Sequence, residues 1–130
     1  MSRDYRKLRV FHESHSLATA IYLRSRDFPR DEWFGLRSQM RRAAVSVPCN
    51  IVEGNARSST RDYLRFLHVA FGSASELQYL IALATELGIA TGDDWTPVRT
   101  QCEVVTRQLQ RLVERMETMA SEEGRTELRR

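Results

Sequence analysis

The chain has 130 residues, 42% of them apolar and 28% charged, with a formal net charge of +3. That length fits one domain whose core needs no staples, and the composition excludes a disordered chain. No apolar run approaches the roughly 20 residues that span a bilayer, and the polar start MSRDYRKLRVFHESH lacks the apolar centre of a signal peptide, so a cytoplasmic protein with no membrane partner is expected.

Periodicity predicts helices along the whole chain and no strand. The first helix is expected from Tyr5 or Lys7 to Arg26, with a stripe of Val10, Leu17, Ile21 and Phe28 and with Ser14 and Ser25 at core-like positions. It ends at Asp27-Phe28-Pro29, because the residue before a proline is pushed out of the helical region. The second is expected to start near Asp31, a residue able to cap the first turn, and to bury Leu36, Met40, Ala43, Ala44, Val47 and Ile51. Pro48 falls inside that stripe, but the apolar phase of Met40, Ala44 and Val47 continues to Ile51, which predicts a helix kinked at Pro48 rather than a loop. Gly54-Asn55 is expected to end it.

The third helix opens at Ser58-Ser59-Thr60, where Ser59 and Asp62 have the spacing of a capping box. Its stripe is wide: Tyr63, Phe66, Leu67, Ala70, Phe71, Ala74, Leu77, Leu80, Ile81, Ala84 and Leu87. A face that broad predicts contact on two sides. It makes Tyr63, Phe66 and Phe71 the aromatic candidates for a subunit interface, since interface cores favour aromatics. Gly88 reads as a helix stop. The fourth helix starts at Thr91 or Asp94, with Pro97 tolerated in the first turn. Val98, Cys102, Val105, Leu109, Leu112, Met116 and Met119 alternate steps of four and three, the seam of a left-handed bundle. Four helices with short links predict an all-α fold, an antiparallel up-down four-helix bundle over residues 1–120. Residues 121–130, SEEGRTELRR, are expected to form a polar, frayed tail.

No catalytic group stands out. His12 and His15 lie within HESH, which is not HExxH, and no Glu-x-x-His of a di-iron bundle occurs. Phosphate loops, nucleophile elbows and Cys-His signatures are absent from the sequence. No cofactor, metal or small-molecule substrate is therefore expected. His68 reads as a packed or interface histidine. Cys49 and Cys102 have apolar neighbours and belong to no CxxC pair, so both are expected to be free, buried and inert. Glu53 is expected to pair with Arg57 at i+4 rather than to act as a base.

The charge is unevenly spread. Residues 1–30 carry seven basic residues against three acids, residues 37–65 six against two, and residues 66–130 seven against ten; all but one of the basic residues are arginine. Arginine's planar fork suits bidentate contacts with phosphate or carboxylate. Arg37 and Arg41, with Arg42 beside them, lie one turn apart, and Arg57, Arg61 and Arg65 repeat at i+4. Such one-signed rows repel by a few tenths of a kcal/mol per pair. They read either as a solvated face or as a surface for a polyanion or acidic partner.

The segments SQMRRAAVSVPCNIVEG, Ser38 to Gly54, and RDYLRFLHVAFGSASEL, Arg61 to Leu77, resemble the four-helix-bundle family named for the 23S ribosomal RNA intervening-sequence protein. So do LRVFHESHSLATAIY, FPRDEWFGLRSQM and the LGI after the third helix, and the likeness covers about Tyr5 to Met119. It departs at Cys49, where the family often has a small polar residue, and at Val52, where it often has alanine. The resemblance implies an antiparallel bundle assembled into a ring, a homopentamer. It also implies nucleic-acid binding, the usual inference for a family first noticed in insertions within ribosomal RNA genes. A related fold serves as the accessory protein of diversity-generating retroelements and binds RNA and a reverse transcriptase. The resulting expectation is a non-enzymatic homo-oligomer that binds nucleic acid, RNA before DNA, through Arg37, Arg41, Arg42, Arg57, Arg61 and Arg65. The alternative is an assembly or adaptor protein whose arginines contact subunits or protein partners.

Overall fold

The structure is a computed structural model that describes residues 3–129. It is helical, with α1 at Arg9–Arg24, α2 at Ser38–Asn55, α3 at Thr60–Glu86 and α4 at Trp95–Leu128, and no strand among the described residues. α1 packs on α2 and α4, α2 on α3, and α3 on α4. Across α2 and α3, Gln39 Nε2 donates to Glu76 Oε2, Ser46 and Ser73 share a hydroxyl hydrogen bond, and Gly54 faces Tyr63 and Phe66.

The core follows the helical stripes. Leu17, Ile21, Met40, Val47, Ile51, Leu67, Leu77, Ile81 and Leu109 are all essentially inaccessible. Burying each such side chain removes enough apolar surface to stabilise the fold by about 1.5–3 kcal/mol. Ser14 and Ser25 are buried as expected, and each satisfies its hydroxyl within its own helical turn: Ser14 Oγ donates to Phe11 O and Ser25 Oγ to Tyr22 O. α3 ends where Gly88 adopts φ +74°, with its N–H on Thr85 O and the Ile89 N–H on Ala84 O, a left-handed cap that glycine permits. Leu87, expected in the stripe, is the cap residue outside the helix proper and is exposed.

Several local features differ from the sequence reading. Asp31 does not cap α2. The chain instead passes through a short 3₁₀ turn, Arg30–Glu32, and a π-helical turn, Trp33–Arg37, in which Glu32 Oε1 accepts from the Leu36 N–H at 3.1 Å. Helical geometry breaks at Gly35 (φ −104°, ψ −107°), where a Cβ would come within 2.9 Å of that same carboxylate oxygen. α2 then runs without interruption through Pro48 to Asn55.

α2 ends at Asn55, where the Gly54-Asn55 pair was expected to end it, but Gly54 is more than a stop signal. It is buried in the last turn of α2, and a Cβ there would lie 2.9 Å from Tyr63 Cδ1 and 3.0 Å from Phe66 Cβ. Its role is close approach of α2 to α3. Cys49 is exposed, contrary to expectation. Val47 and Ile51 hold the core face, and a residue two positions from each sits on the opposite side of a helix. Finally, the tail is helical: α4 continues to Leu128. With 34 residues against 16 in α1, it is about 51 Å long against about 24 Å. It therefore outruns the bundle, which leaves Met119, the last seam residue, 43% exposed.

Candidate nucleic-acid interface

The expected arginines fall into two groups at opposite ends of α2, about 27 Å apart for an 18-residue helix. At its start, Arg41 is half-buried and spans to α1. Its Nε donates to Ser25 Oγ at 2.9 Å, its Nη2 donates to Tyr22 O at 3.0 Å, and its guanidinium lies over the Tyr22 ring. Burial, with the like charges of Arg37 and Arg26 nearby, lowers its pKa from the usual arginine value. Arg41 is thus an interhelical tie, with its Nε and one Nη2 donor committed to Ser25 and Tyr22. Arg37 stacks over Trp33 at 4.3 Å, and Arg30 lies over the same ring at 5.3 Å. Trp33 itself is fixed by its Nε1–H on Phe28 O. Phe34, next on the π-helical turn, is 96% exposed. Arg42 is exposed on the other flank, beside Ser46, Ser73 and Glu76 in a shallow α2–α3 groove.

At the far end, Phe66 is the centre. The Arg57 guanidinium lies 4.7 Å and the Arg65 guanidinium 5.6 Å from its ring centroid. A cation over an aromatic face gains about 0.5–1 kcal/mol at an exposed site. Glu53 is exposed and makes no ion pair with Arg57 among the described residues; Arg57 uses the ring instead. Arg65 has Asp62 Oδ1 at 3.9 Å, an exposed contact worth little. Asp62 also gives its N–H to Ser59 Oγ, the expected cap of α3.

Arg57, Arg61 and Arg65 do not form one stripe. α3 begins at Thr60, so Arg57 lies in the connection before it and the i+4 count does not carry back. Arg61 faces a groove toward the end of α4 that also contains Glu123 and Glu127. The aromatics divide as well. Tyr63 is 2% exposed and belongs to the core of its own chain, its pKa raised by that burial against the opposing charges of Arg3 and Arg115. Phe66 and Phe71 are half-buried, and they keep a surface to offer.

Sequence reasoning missed contributors in three places. Arg3 stacks over Tyr63 at 4.3 Å and donates to Arg57 O at 2.9 Å and to Thr60 Oγ1 at 3.5 Å, joining the N-terminal segment to the α2–α3 corner. Thr60 Oγ1 in turn donates to Glu123 Oε1. Phe34 and Arg30 were legible in part, since WFG after an acidic pair fits no apolar stripe. Arg111 and Arg115 lie in the acidic half, where the overall charge count hid them. Their i+4 spacing, extended back to Arg107, was the available signal. Among the described residues no cluster of three histidine, cysteine or acidic side chains is placed to hold a metal ion, and no helix is long and apolar enough to cross a membrane.

The sequence pattern of the 23S rRNA-intervening sequence protein family matches residues 6–111. No curated protein matches the chain. Among solved structures, a protein of unknown function from the S23 ribosomal protein family of Bacteroides thetaiotaomicron superposes with a TM-score of 0.73 at 21% identity. The match covers 81% of this chain and 95% of that one. At that identity the likeness speaks to the fold alone.

Proposed function

The chain belongs to the 23S rRNA-intervening sequence protein family, and from that premise we propose that it is a non-enzymatic bundle that binds nucleic acid, RNA before DNA, in the cytoplasm. The observation that carries this reading is how the guanidiniums are held. Arg30 and Arg37 lie over Trp33, and Arg57 and Arg65 over Phe66; of the four, Arg65 alone has a carboxylate near it among the described residues, at 3.9 Å. An arginine oriented by a ring, with its donors unspent, is ready for phosphate oxygens. Binding of this kind follows charge and shape with weak sequence preference.

The scaffold in this proposal is an antiparallel up-down bundle. The pairings Gln39–Glu76, Ser46–Ser73 and Gly54–Tyr63 run in opposite chain directions and support that order. A bend of α2 at Pro48, which has no N–H to give the preceding turn, belongs to the same proposal. So does a homo-oligomer, a pentamer by family resemblance, with Phe66 and Phe71 at its contact.

The test is a gel-shift series with a single-stranded RNA across salt. With about four phosphate contacts, affinity should fall about fiftyfold between 50 and 200 mM salt. Binding that ignores salt refutes the phosphate reading. A second reading has its own support: Arg61 shares a groove with Glu123 and Glu127, so the arginines of one subunit would instead pair with acids of the next. Under that reading Arg57→Glu with Arg61→Glu disperses the oligomer and leaves RNA retention unchanged.

A further inference from the structure

A groove of about 620 Å³ lies away from Arg37, Arg57 and Arg65, between the start of α1 and the second half of α4. Its floor is apolar, formed by Leu8, Val10 and Leu112. Arg9 from α1 and Arg111 and Arg115 from α4 stand at its rim. All three arginines are exposed, and none has a carboxylate within ion-pair distance among the described residues, although Glu114 also lines the groove. Arg111 and Arg115 are one turn apart on a true helix, so their charges add on one face at a small repulsive cost. Arg107 extends the same row.

A second, independent feature sits in the groove wall. Gln108 Oε1 is buried and receives no hydrogen bond. A buried acceptor without a donor costs about 1–3 kcal/mol, and native structures leave few of them. Gln108 lines the groove, so a turn of its amide presents that oxygen to a ligand N–H or O–H seated on the floor. Arginine rim, apolar floor and an orphaned acceptor together suit an amphipathic anion that also carries an N–H or O–H donor. The volume lies in the range of sites for small organic ligands.

We infer that the α1–α4 groove binds a nucleoside phosphate, its phosphate on Arg9, Arg111 and Arg115, its base on Leu8, Val10 and Leu112, and a base or sugar donor on Gln108. The same chemistry is offered by a free nucleotide and by one unit of an RNA strand. The site is separate from Arg37, Arg57 and Arg65, and it stands whether or not those residues bind RNA.

The test is calorimetry of the full chain at low salt with adenosine monophosphate, inorganic phosphate and a short oligoadenylate. The comparison is with Arg111→Ala plus Arg115→Ala, two exposed positions whose truncation leaves the core intact, and with Gln108→Leu. The nucleotide should bind more tightly than phosphate, which leaves the floor unused. The double variant should lose about tenfold or more for the nucleotide or for the oligoadenylate. Loss with the free nucleotide assigns the groove to small ligands, and loss confined to the oligoadenylate assigns it to a strand. Gln108→Leu should weaken the nucleotide and leave phosphate unchanged, which a purely electrostatic patch would not do. The inference is overturned if the double variant binds the nucleotide and the oligoadenylate as the parent does, or if neither ligand binds the parent. Failure of the proposed RNA function shows differently: there the oligoadenylate response would be unaffected by Arg57→Ala with Arg65→Ala.

Discussion

Two glycine-to-alanine substitutions should move stability in opposite directions. Gly54 lies in the last turn of α2, where a Cβ would meet Tyr63 Cδ1 at 2.9 Å and Phe66 Cβ at 3.0 Å. Neither atom is the loose end of a long side chain. Tyr63 is locked in the core, and a displaced Phe66 would carry Arg57 and Arg65 with it. Overpacking of this kind costs about 1–3 kcal/mol, offset by up to about 1 kcal/mol of helix propensity, for a net loss of about 1–2 kcal/mol. Gly72 is exposed within α3, and a methyl group there would meet no atom within 4 Å, so Gly72→Ala should gain about 1 kcal/mol. For 130 residues the unfolding entropy makes 1 kcal/mol about 4 °C of melting temperature. Thermal unfolding at one fixed protein concentration should therefore place Gly54→Ala about 4–8 °C below the parent and Gly72→Ala about 4 °C above it. A Gly54→Ala protein as stable as the parent would refute the close approach of α2 and α3 that places Phe66 beneath Arg57.

The two cysteines should behave unlike each other. A thiol reagent under native conditions should label Cys49 alone, because Cys102 is buried, donates weakly to Ala74 O and has its pKa pushed up to about 12 by burial. A thiol whose folded pKa lies above its unfolded one binds its proton more tightly when folded. Stability should thus fall as pH rises from about 9 toward 12, at about 1.4 kcal/mol per pH unit. Burial of Tyr63 acts in the same direction, and urea titrations of Cys102→Ala across that range should show a shallower fall. Arg41→Ala should cost about 1–3 kcal/mol through the lost bonds to Ser25 Oγ and Tyr22 O, whereas exposed Arg42→Ala should stay within about 0.5 kcal/mol; equal effects would refute the division of roles between these neighbours.

What the sequence made legible was whatever a single helix decides for itself. The stripes of Val10, Leu17 and Ile21 and of Val98, Cys102 and Val105 are buried as their spacing requires, because 3.6 residues per turn fixes a face without knowledge of the neighbours. Ser14 and Ser25 were readable by phase despite their polarity. Cys49 was readable too, since the stripe through Val47 and Ile51 already places residue 49 outward; its apolar neighbours in sequence misled. The packing role of Gly54 was not readable. A helix-ending glycine and a close-approach glycine look alike in sequence, and what distinguishes them is Tyr63 and Phe66 arriving from another helix.

The arginines show the same division more sharply. The count from Arg57 to Arg65 assumes one helix, but α3 starts at Thr60, so the spacing does not fix a shared face; Arg57 and Arg65 meet only because both reach Phe66. Arg107, Arg111 and Arg115 have that spacing inside α4, and their face is real, yet the acids of the same segment conceal it in the net charge. Arg9 joins them because α1 and α4 pack together, a contact between segments about a hundred residues apart in the chain, which no local pattern reports. Charge totals by segment therefore rank surfaces poorly in a bundle. A helix carries opposite signs on different faces, and a ligand meets a face.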